Sequence, residues 1–262
     1  MRNTTTFDTH LFAKQLESKG FSPQQVGEIN DALKNAFQSQ KTAKKEVIKI
    51  RNEQKADYEK VEAITRKAFY NLYVPGCAEH YLVHAMRHHN DFLPELDFVI
   101  EIDGSIIGNI MYTKARLVDE AGKEKKILTF GPVCVLPEYQ RKGYGKMLME
   151  HSFKEATALG YDVIVIFGSP SNYVGLGFKS CKKYNICMEN GTYPSAMMVK
   201  ELKPNALDGR KWFYHDSPVM HIDEKEAEKF DETFEKMEKK HQPSQEEFYI
   251  YSHSILSLRD FY

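Results

Sequence analysis

The sequence has few of the features that mark secreted, membrane-spanning or zinc-binding proteins. Its 262 residues include four cysteines, none of them in a CxxC pair, so we expect reduced thiols, no disulfide framework and no bound metal. No apolar run approaches the roughly 18 residues that a membrane span requires. The chain also begins without the apolar segment of a signal peptide. We therefore expect a cytoplasmic protein that does not associate with membranes.

The charge balance argues against nucleic acid as a partner. The chain has 36 basic and 37 acidic side chains and a formal net charge of −1, which gives no bulk attraction to nucleic acid or to anionic lipid. Apolar residues make up 42% of the chain and charged residues 28%, as is typical of a globular domain. The length is enough for one sizeable domain with an appendage, or for two small domains.

The first 45 residues predict a helical hairpin followed by a linker. Gly20 ends a first helix, and Ser22 and Pro23 form the start signal of a second, as a cap and a first-turn proline. A polar and basic stretch, residues 41–46, then predicts the boundary with the rest of the chain. Packing or self-association is the simplest role for such a helix pair, so a homodimer stays open.

From residue 46 onward the patterns predict an α/β domain. Asp103-Gly104 is a strong hairpin-turn signal between two strands. The continuous apolar run from Val163 to Phe167 is typical of a central strand covered on both faces. Pro132 lies within the strand predicted over residues 127–135, where it cannot donate a ladder hydrogen bond. It therefore predicts a bulge or a separation from a neighbouring strand.

The most informative segment joins that strand to a helix through a basic turn with two glycines. It reads Gln140-Arg141-Lys142-Gly143-Tyr144-Gly145-Lys146. The first amides of a helix have no intrahelical partner, and the helix dipole leaves positive charge there, so this turn can bind a pyrophosphate through backbone N–H groups. The glycines let the backbone come close, and the basic pair adds attraction. The pattern is neither GxxxxGK[ST] nor GxGxxG, which argues against an ordinary nucleotide-binding loop.

Two signatures resemble those of a known enzyme superfamily. The Gln-x-x-Gly-x-Gly turn, placed after a Val-x-Val-x-Pro-Glu-Tyr run, resembles motif A of the GNAT superfamily of N-acetyltransferases. The run from Asn172 through Tyr173 to Gly177-Phe178 is similar to the second signature of that superfamily. The segment Leu202–Gly209 resembles the tail of a subgroup of predicted acetyltransferases with unassigned acceptors.

The resemblance implies an α/β GNAT fold. This fold is a mixed, mostly antiparallel sheet, splayed between strands 4 and 5 and flanked by helices, to which the N-terminal helical hairpin is added. We expect residues 1–45 to form the hairpin and linker, and residues 46–209 to form the acetyltransferase domain. Residues 210–262 are then a C-terminal extension, whose amphipathic helix with Ala227, Phe230, Phe234 and Met237 on one face packs on that domain.

The resemblance also implies transfer of the acetyl group of acetyl-coenzyme A (acetyl-CoA) to a primary amine by direct attack. The acceptor is a small molecule or a peptide. Tyr173 matches the position of the family's general acid, which protonates the departing thiolate. Contacts with the coenzyme are implied for Val133, Cys134, Val135, Gln140, Arg141, Lys142, Gly143, Tyr144, Gly145, Lys146 and Asn172. Cys134 could also suggest a covalent acetyl-enzyme, but no base accompanies it in the sequence, and a buried strand residue is the simpler interpretation.

The acceptor side is less well defined by the sequence. Early helices wall the acceptor pocket in this family, which makes Tyr73, His80, His84 and Arg87 candidate contacts. The spacing of His80, His84 and His88 places them on one helix face and is compatible with a metal, although a surface stripe is the simpler interpretation. No glutamate lies within residues 127–135. The general base is therefore left open between a water path and an acid from the segment Asp97–Asp103.

Two functions of other classes also stay open. A module that senses an acyl-coenzyme A would bind it without efficient turnover. Alternatively, the helical hairpin would bind a protein partner while the rest of the chain serves as a scaffold.

Overall fold

The computed structural model describes residues 9–42 and 46–257. Contacts divide the chain into two compact units, with the boundary between Glu46 and Val47. The first unit contains α1 (Thr9–Ser18) and α2 (Pro23–Thr42). Ser22 caps α2 as predicted and forms a capping box, in which Ser22 N donates to Gln25 Oε1 at 3.0 Å and Gln25 N donates to Ser22 Oγ at 3.3 Å. Residues 43–45 of the predicted linker lie outside the described residues.

The second unit is a sheet with packed helices. Its strands within residues 46–257 are β1 (Ile48–Asn52), β2 (Phe98–Ile102), β3 (Ser105–Asp119), β4 (Glu124–Val135), β5 (Val163–Phe167), β6 (Lys179–Ser180), β7 (Ile186–Cys187), β8 (Met197–Glu201) and β9 (Trp212–His215). Its α-helices are α3 (Tyr58–Phe69), α4 (Glu79–Met86), α5 (Tyr144–Ala158), α6 (Pro170–Tyr173), α7 (Glu224–Asp231) and α8 (Pro243–His253). No helix in the described parts of the chain combines the length and apolar content needed to cross a membrane.

The strand order confirms the expected mixed, mostly antiparallel sheet. Neighbouring strands follow the order β1-β2-β3-β4-β5-β8-β6, and β9 pairs with both β3 and β7. Only β4 with β5 and β7 with β9 run parallel among the described strands. The second half of β3 pairs with β9 in the register Leu117 to Tyr214. This pairing brings the chain that follows β9 back to the middle of the sheet.

The predicted bulge and splay lie at the point where β4 passes Pro132. Ile110 of β3 faces Val133, whereas Tyr112 faces Phe130, so two β4 residues stand opposite one residue of β3. Beyond the single registered pair Leu128 to Ile164, β4 and β5 are not paired. Because proline has no N–H to donate, the bulge and the parting of the strands agree with the local sequence.

Two apolar clusters fill the unit around the sheet. The larger cluster joins β2, β3 and β4 to α3, α4 and α5, with fully buried Ile110 and Leu148 among its members. The smaller cluster joins β4, β5 and β8 to β7 and β9 through residues such as Ile127, Val165 and Trp212. Burial of this apolar surface stabilises the sheet from both sides and leaves the parted ends of β4 and β5 supported by rigid neighbours.

Several helix boundaries differ from the sequence prediction. Helix α4 ends at Met86 and α7 ends at Asp231, so the apolar stripe predicted beyond Asp231 does not continue as a helix. Phe234 still packs against the His80 ring at 5.2 Å between centroids. Phe234 therefore makes the contact that the predicted apolar stripe calls for, although its backbone is not helical. Helix α8 and strand β7 were not predicted.

The last described segment returns to the sheet. Ser195 Oγ donates to Tyr251 O at 2.8 Å, and Leu256 N donates to Tyr193 O at 2.8 Å. The described residues from 47 to 257 belong to one contact unit. The division at residue 209 between a catalytic domain and an extension therefore stays a prediction.

Candidate active site

A cavity of about 740 Å³ lies where β4 and β5 part. Its wall includes the bulged segment Thr129–Val135, the end of β5, the turn before α5 and the short helix α6. The volume is in the range of sites that hold a small molecule or a coenzyme. We call this space the splay cavity.

The basic turn forms one end of the splay cavity. Gly143 has a φ of 92° and caps α5, a conformation that residues with a side chain rarely adopt. A Cβ built at Gly143 would meet nothing within 4 Å, so open space lies beside the backbone there. Gln140 Nε2 donates to Val135 O at 2.9 Å and ties the turn to the end of β4. The first turn of a 15-residue helix is therefore held at the edge of the cavity.

Nine of the eleven residues predicted to contact the coenzyme line this cavity. They are Val133, Cys134, Val135, Gln140, Arg141, Gly143, Gly145, Lys146 and Asn172. Lys142 and Tyr144 lie outside the lining. Lys142 Nζ donates to Glu138 O at 2.8 Å, and the buried Tyr144 ring lies 6.2 Å from the ring of Tyr139.

Cys134 takes part in the core with its side chain. Its Sγ lies 3.4 Å from Oγ1 of Thr65, and both residues are buried. Burial raises the pKa of the Cys134 thiol to about 11, so the thiolate needed for nucleophilic attack is scarce at neutral pH. The structure thus agrees with the interpretation of Cys134 as a strand residue, and it leaves the backbone as the part that can serve the cavity.

Tyr173 lies at the end of α6 in the wall of the splay cavity. Its half-buried ring packs near Phe130 and Phe178, at centroid distances of 5.9 and 5.8 Å. Burial, with a smaller contribution from Tyr251, raises the pKa of the Tyr173 hydroxyl to about 12. The hydroxyl is therefore protonated at neutral pH and available as a proton donor.

Two carboxylates that sequence reasoning missed also line the splay cavity. Glu79, at the start of α4, accepts a hydrogen bond from Ala78 N at 3.1 Å. Asp216, just after β9, accepts one from Ser217 N at 2.8 Å. Burial raises the pKa of both carboxyl groups. No local motif marks either residue, since each reaches the cavity only through long-range packing.

The segment considered for a general base lies elsewhere. Asp97 is buried and accepts a hydrogen bond from Asn109 Nδ2 at 2.9 Å, and burial beside Glu53 raises its pKa to about 9. Asp103 Oδ1 accepts a hydrogen bond from Val47 N in the hairpin turn between β2 and β3. Neither of these residues, nor Glu101 of the same segment, lines the splay cavity, and a general base from this segment stays a prediction.

Of the four candidate acceptor contacts, only Tyr73 lines the splay cavity. The side chain of Arg87 is buried, donates to Glu53 at 2.7 Å and Glu62 at 2.6 Å, and has its guanidinium carbon 4.0 Å from the ring centre of Tyr58. These contacts satisfy its guanidinium within the protein. Arg87 therefore acts as a structural group in this arrangement.

The histidines of α4 are also engaged within the fold. His80 is fully buried, with Nε2 3.2 Å from Asp231 Oδ1, and burial lowers its pKa to about 4. His84 Nδ1 lies 3.0 Å from Glu62 Oε1. His88 follows the end of α4, so the three histidines do not share a helix face. Among residues 9–42 and 46–257, no three His, Cys, Asp or Glu side chains converge as metal ligands.

Comparison with known proteins connects this geometry to one family. Residues 66–178 match the model described as the acetyltransferase (GNAT) family. A curated Escherichia coli relative, named uncharacterized N-acetyltransferase YjhQ, is 26% identical over 88 residues. That alignment covers 34% of this chain and 48% of the relative, so the chain spans about half the length of that protein.

Two solved structures share the fold. The GNAT family N-acetyltransferase YhbS from Escherichia coli, solved in complex with CoA, aligns with a TM-score of 0.59 and 23% identity over 68% of this chain and 94% of its own. A GNAT family acetyltransferase from Brucella melitensis, solved in complex with acetyl-CoA, aligns with a TM-score of 0.52 and 22% identity over 67% and 99% of the two chains.

Proposed function

We propose that this chain, whose residues 66–178 match the GNAT acetyltransferase family model, is an N-acetyltransferase that moves the acetyl group of acetyl-CoA to a primary amine by direct attack. One observation carries the proposal. The splay cavity joins the basic turn before α5 to the hydroxyl-bearing residue Tyr173 in a single wall. A donor with a pyrophosphate at one end and a thioester at the other fits such a wall.

The turn supplies the anchor for the donor. The first N–H groups of α5 have no partner within the helix, and the helix dipole adds positive charge at the same point. Arg141 and Lys146 line the cavity beside it. Gly143 leaves open space next to the backbone, so a pyrophosphate can approach the amides closely.

The bulged end of β4 supplies the next contacts. Since β4 and β5 are unpaired beyond Leu128 and Ile164, the backbone of Val133, Cys134 and Val135 faces a gap that a neighbouring strand would otherwise fill. We infer that the extended pantetheine arm pairs with this backbone. The thioester carbonyl then lies against β4, where an N–H group can stabilise the charge that develops on its oxygen.

Tyr173 completes the reaction. The neutral amine nitrogen attacks the acetyl carbon, a C–N bond forms, and the C–S bond breaks. The departing thiolate takes the proton of the Tyr173 hydroxyl, which is regained from solvent, while the surplus proton of the attacking nitrogen is released. General acid catalysis of this kind contributes about 10²- to 10⁴-fold to the rate.

Two features favour an enzyme over a module that only senses the coenzyme. A sensor needs the phosphate-binding turn but has no use for a protonated hydroxyl in the cavity wall, as at Tyr173. It equally has no use for the two carboxylates there, Glu79 and Asp216. The N-terminal hairpin forms its own unit, and a separate partner-binding role for it is compatible with catalysis by the remainder.

The test uses the purified full-length chain. Calorimetry measures acetyl-CoA binding, a thiol reagent follows CoA release in the presence of a fixed panel of primary amines, and mass spectrometry identifies the acetylated amine. We expect binding and an amine-dependent release that matches the product formed. Binding without amine-dependent release would favour the sensor, and release without acetylated product would indicate hydrolysis. Absence of acetyl-CoA binding would contradict the proposal.

A further inference from the structure

A second cavity, of about 640 Å³, adjoins the splay cavity. We call it the β9 cavity. Its wall comes from β3, from the end of β5, from the segment after β7 and from the chain around β9. The residues that matter for its chemistry are Phe167, Met188, Asn190, Tyr214, Asp216 and His221.

The two cavities share two wall residues, Phe167 and Asp216. Phe167 ends β5, is 44% exposed, and has its ring 5.7 Å from that of Tyr214. Asp216 follows β9, which the pairing with β3 holds in place. A molecule in the β9 cavity therefore touches the same wall as the donor, next to the bulged segment of β4.

Asp216 is the unpaired carboxylate of this wall. Glu189, which also lines the β9 cavity, lies 2.6 Å from His215 Nδ1. Asp216 accepts the Ser217 N–H and makes no ion pair with another described residue. Burial raises the Asp216 pKa, although the Tyr214 hydroxyl, the Ser217 N–H and His221 each favour the charged form. A cation from outside is the partner that such a carboxylate lacks.

The neighbouring tyrosine gives a further sign of a ligand. Tyr214 is 2% exposed, and its hydroxyl oxygen makes no hydrogen bond of good geometry within the described residues. The hydroxyl interacts with Thr129 and Asp216, although neither contact has full hydrogen-bond geometry. A buried hydroxyl without a partner costs about 1–3 kcal/mol, which a polar group entering at Asp216 would offset.

We propose that the β9 cavity binds the acceptor, a primary amine with an aromatic or apolar body, and that Asp216 takes up the proton of its ammonium group. This inference rests on the proposed acetyl transfer. The Phe167 and Tyr214 rings, with Met188, supply apolar contacts for the body and π faces for the cation. Three of the acceptor contacts predicted from sequence, His80, His84 and Arg87, lie outside both cavity walls.

The proton balance is simple. The ammonium group gives one proton to the Asp216 carboxylate and becomes a neutral amine with a free lone pair. After the amide has formed, Asp216 returns that proton to solvent. The whole reaction converts an alkylammonium ion and acetyl-CoA into an N-alkylacetamide, free CoA thiol and one proton.

The experiment compares wild type with Asp216→Asn in the full-length chain, using phenethylamine, tyramine and the aliphatic diamine cadaverine as probes. We expect the wild type to acetylate the two aromatic amines with a higher kcat/KM than cadaverine. Asp216→Asn lowers this kcat/KM by about 10²-fold or more, while the acetyl-CoA Kd from calorimetry stays within about threefold. The difference in kcat/KM between wild type and Asp216→Asn becomes smaller as pH rises, because a larger fraction of the amine is then already deprotonated in solution.

Two further variants separate this arrangement from a general loss of fold. Met188 lines the β9 cavity and not the splay cavity. Met188→Trp puts a larger side chain into the β9 cavity, so it raises the KM for the amine and leaves acetyl-CoA binding intact. Asp208→Asn removes an exposed carboxylate that pairs with Arg210 and lines neither cavity, so it changes neither quantity. Melting temperatures verify that each variant is folded.

The outcomes distinguish this inference from the proposal on which it rests. Asp216→Asn and Met188→Trp proteins with amine kinetics within about threefold of wild type would overturn the β9 cavity as the acceptor site, while acetyl transfer itself stands. A wild type that acetylates cadaverine but neither aromatic amine would overturn the aromatic acceptor. A wild type that does not bind acetyl-CoA would overturn the proposed function, and the acceptor site with it.

Discussion

The ring of Tyr173 lies directly against Gly168, and a Cβ at position 168 would stand 2.6 Å from Cε2 of that ring. Gly168 follows the end of β5, and its N–H donates to Ala196 O at 3.0 Å. The backbone at Gly168 is therefore held in place. Because Gly168 has no side chain, the Tyr173 ring can pack against it. The end of β5 thus sets the position of the proposed general acid.

Gly168→Ala is expected to displace the Tyr173 ring. A shift of about 1 Å in a catalytic group can cost about 10²-fold in rate, so we expect kcat to fall while the acetyl-CoA Kd changes little. Gly175→Ala is the matched control, because a Cβ there meets nothing within 4 Å. Steady-state kinetics measure the effect. If Tyr173 is the acid, Gly168→Ala adds little in a Tyr173→Phe background, and full additivity of the two losses would contradict this coupling.

Tyr173→Phe removes the hydroxyl and keeps the ring. Because the hydroxyl is the proposed proton source for the thiolate, kcat should fall by about 10²- to 10⁴-fold. Packing against Phe130 and Phe178 is retained, so calorimetry should report an acetyl-CoA affinity close to that of wild type. Turnover within a few-fold of wild type, with chemistry shown to be rate-limiting, would leave Tyr173 as a packing residue only.

Gly143→Asp and Gly143→Asn form a matched pair for the donor site. Both side chains must adopt the φ of 92°, so the two variants share the backbone strain and differ in charge. We expect Asp to weaken acetyl-CoA binding at least about tenfold more than Asn does, because it puts negative charge where a pyrophosphate meets the helix N-terminus. The difference should shrink in high salt. Equal affinities of the two variants at low salt would argue against this phosphate site.

Arg87→Met tests whether this residue serves the acceptor or the fold. Removal of the guanidinium leaves the Glu53 and Glu62 carboxylates without their buried partner, so the free energy of unfolding should fall by about 3–5 kcal/mol. Lys229→Met, which removes one partner of an exposed pair with Glu226, is the control and should cost no more than about 1 kcal/mol. Denaturant unfolding measures both. Unchanged stability together with a raised KM for the amine would restore Arg87 as an acceptor contact.

His80 predicts a dependence of stability on pH. Its pKa is lowered from 6.5 to about 4 in the folded protein, so between these values the unfolded chain binds the extra proton. Stability from this residue is fully present above pH 6.5 and is lost as pH falls towards 4, by about 2 kcal/mol between pH 7 and pH 5. His80→Gln should flatten that slope in urea unfolding, whereas His84→Gln, at a more exposed position, should retain it. An identical slope in wild type and His80→Gln would contradict the lowered pKa.

Local patterns were sufficient to predict the residues of the proposed donor half of the site. The turn from Gln140 to Lys146 can be recognised from its own residues, because its glycines, its basic residues and the start of a helix all act on the same few backbone amides. Pro132 likewise predicts the bulge, because proline has no N–H to donate. The resemblance of the segment from Tyr173 to Gly177-Phe178 to a family signature predicts a hydroxyl near the proposed donor, and α6 puts Tyr173 in the cavity wall.

The acceptor side depended on contacts between residues distant in sequence. His80 is buried because Asp231 and Phe230 of α7 pack against α4. No pattern within α4 predicts this contact. The place of Asp216 depends on the register in which Tyr214 pairs with Leu117.

Backbone preferences within a few residues were thus enough to predict an α/β domain, the bulge and the basic turn before α5. Whether a carboxylate or a histidine faces a cavity or is buried in the core depends on packing. Burial and ion pairing depend on a residue's neighbours in space, and β9, α7 and α8 bring those neighbours from distant parts of the chain. The hydrogen bond from Gln245 to Asn71 O, for example, spans 174 positions.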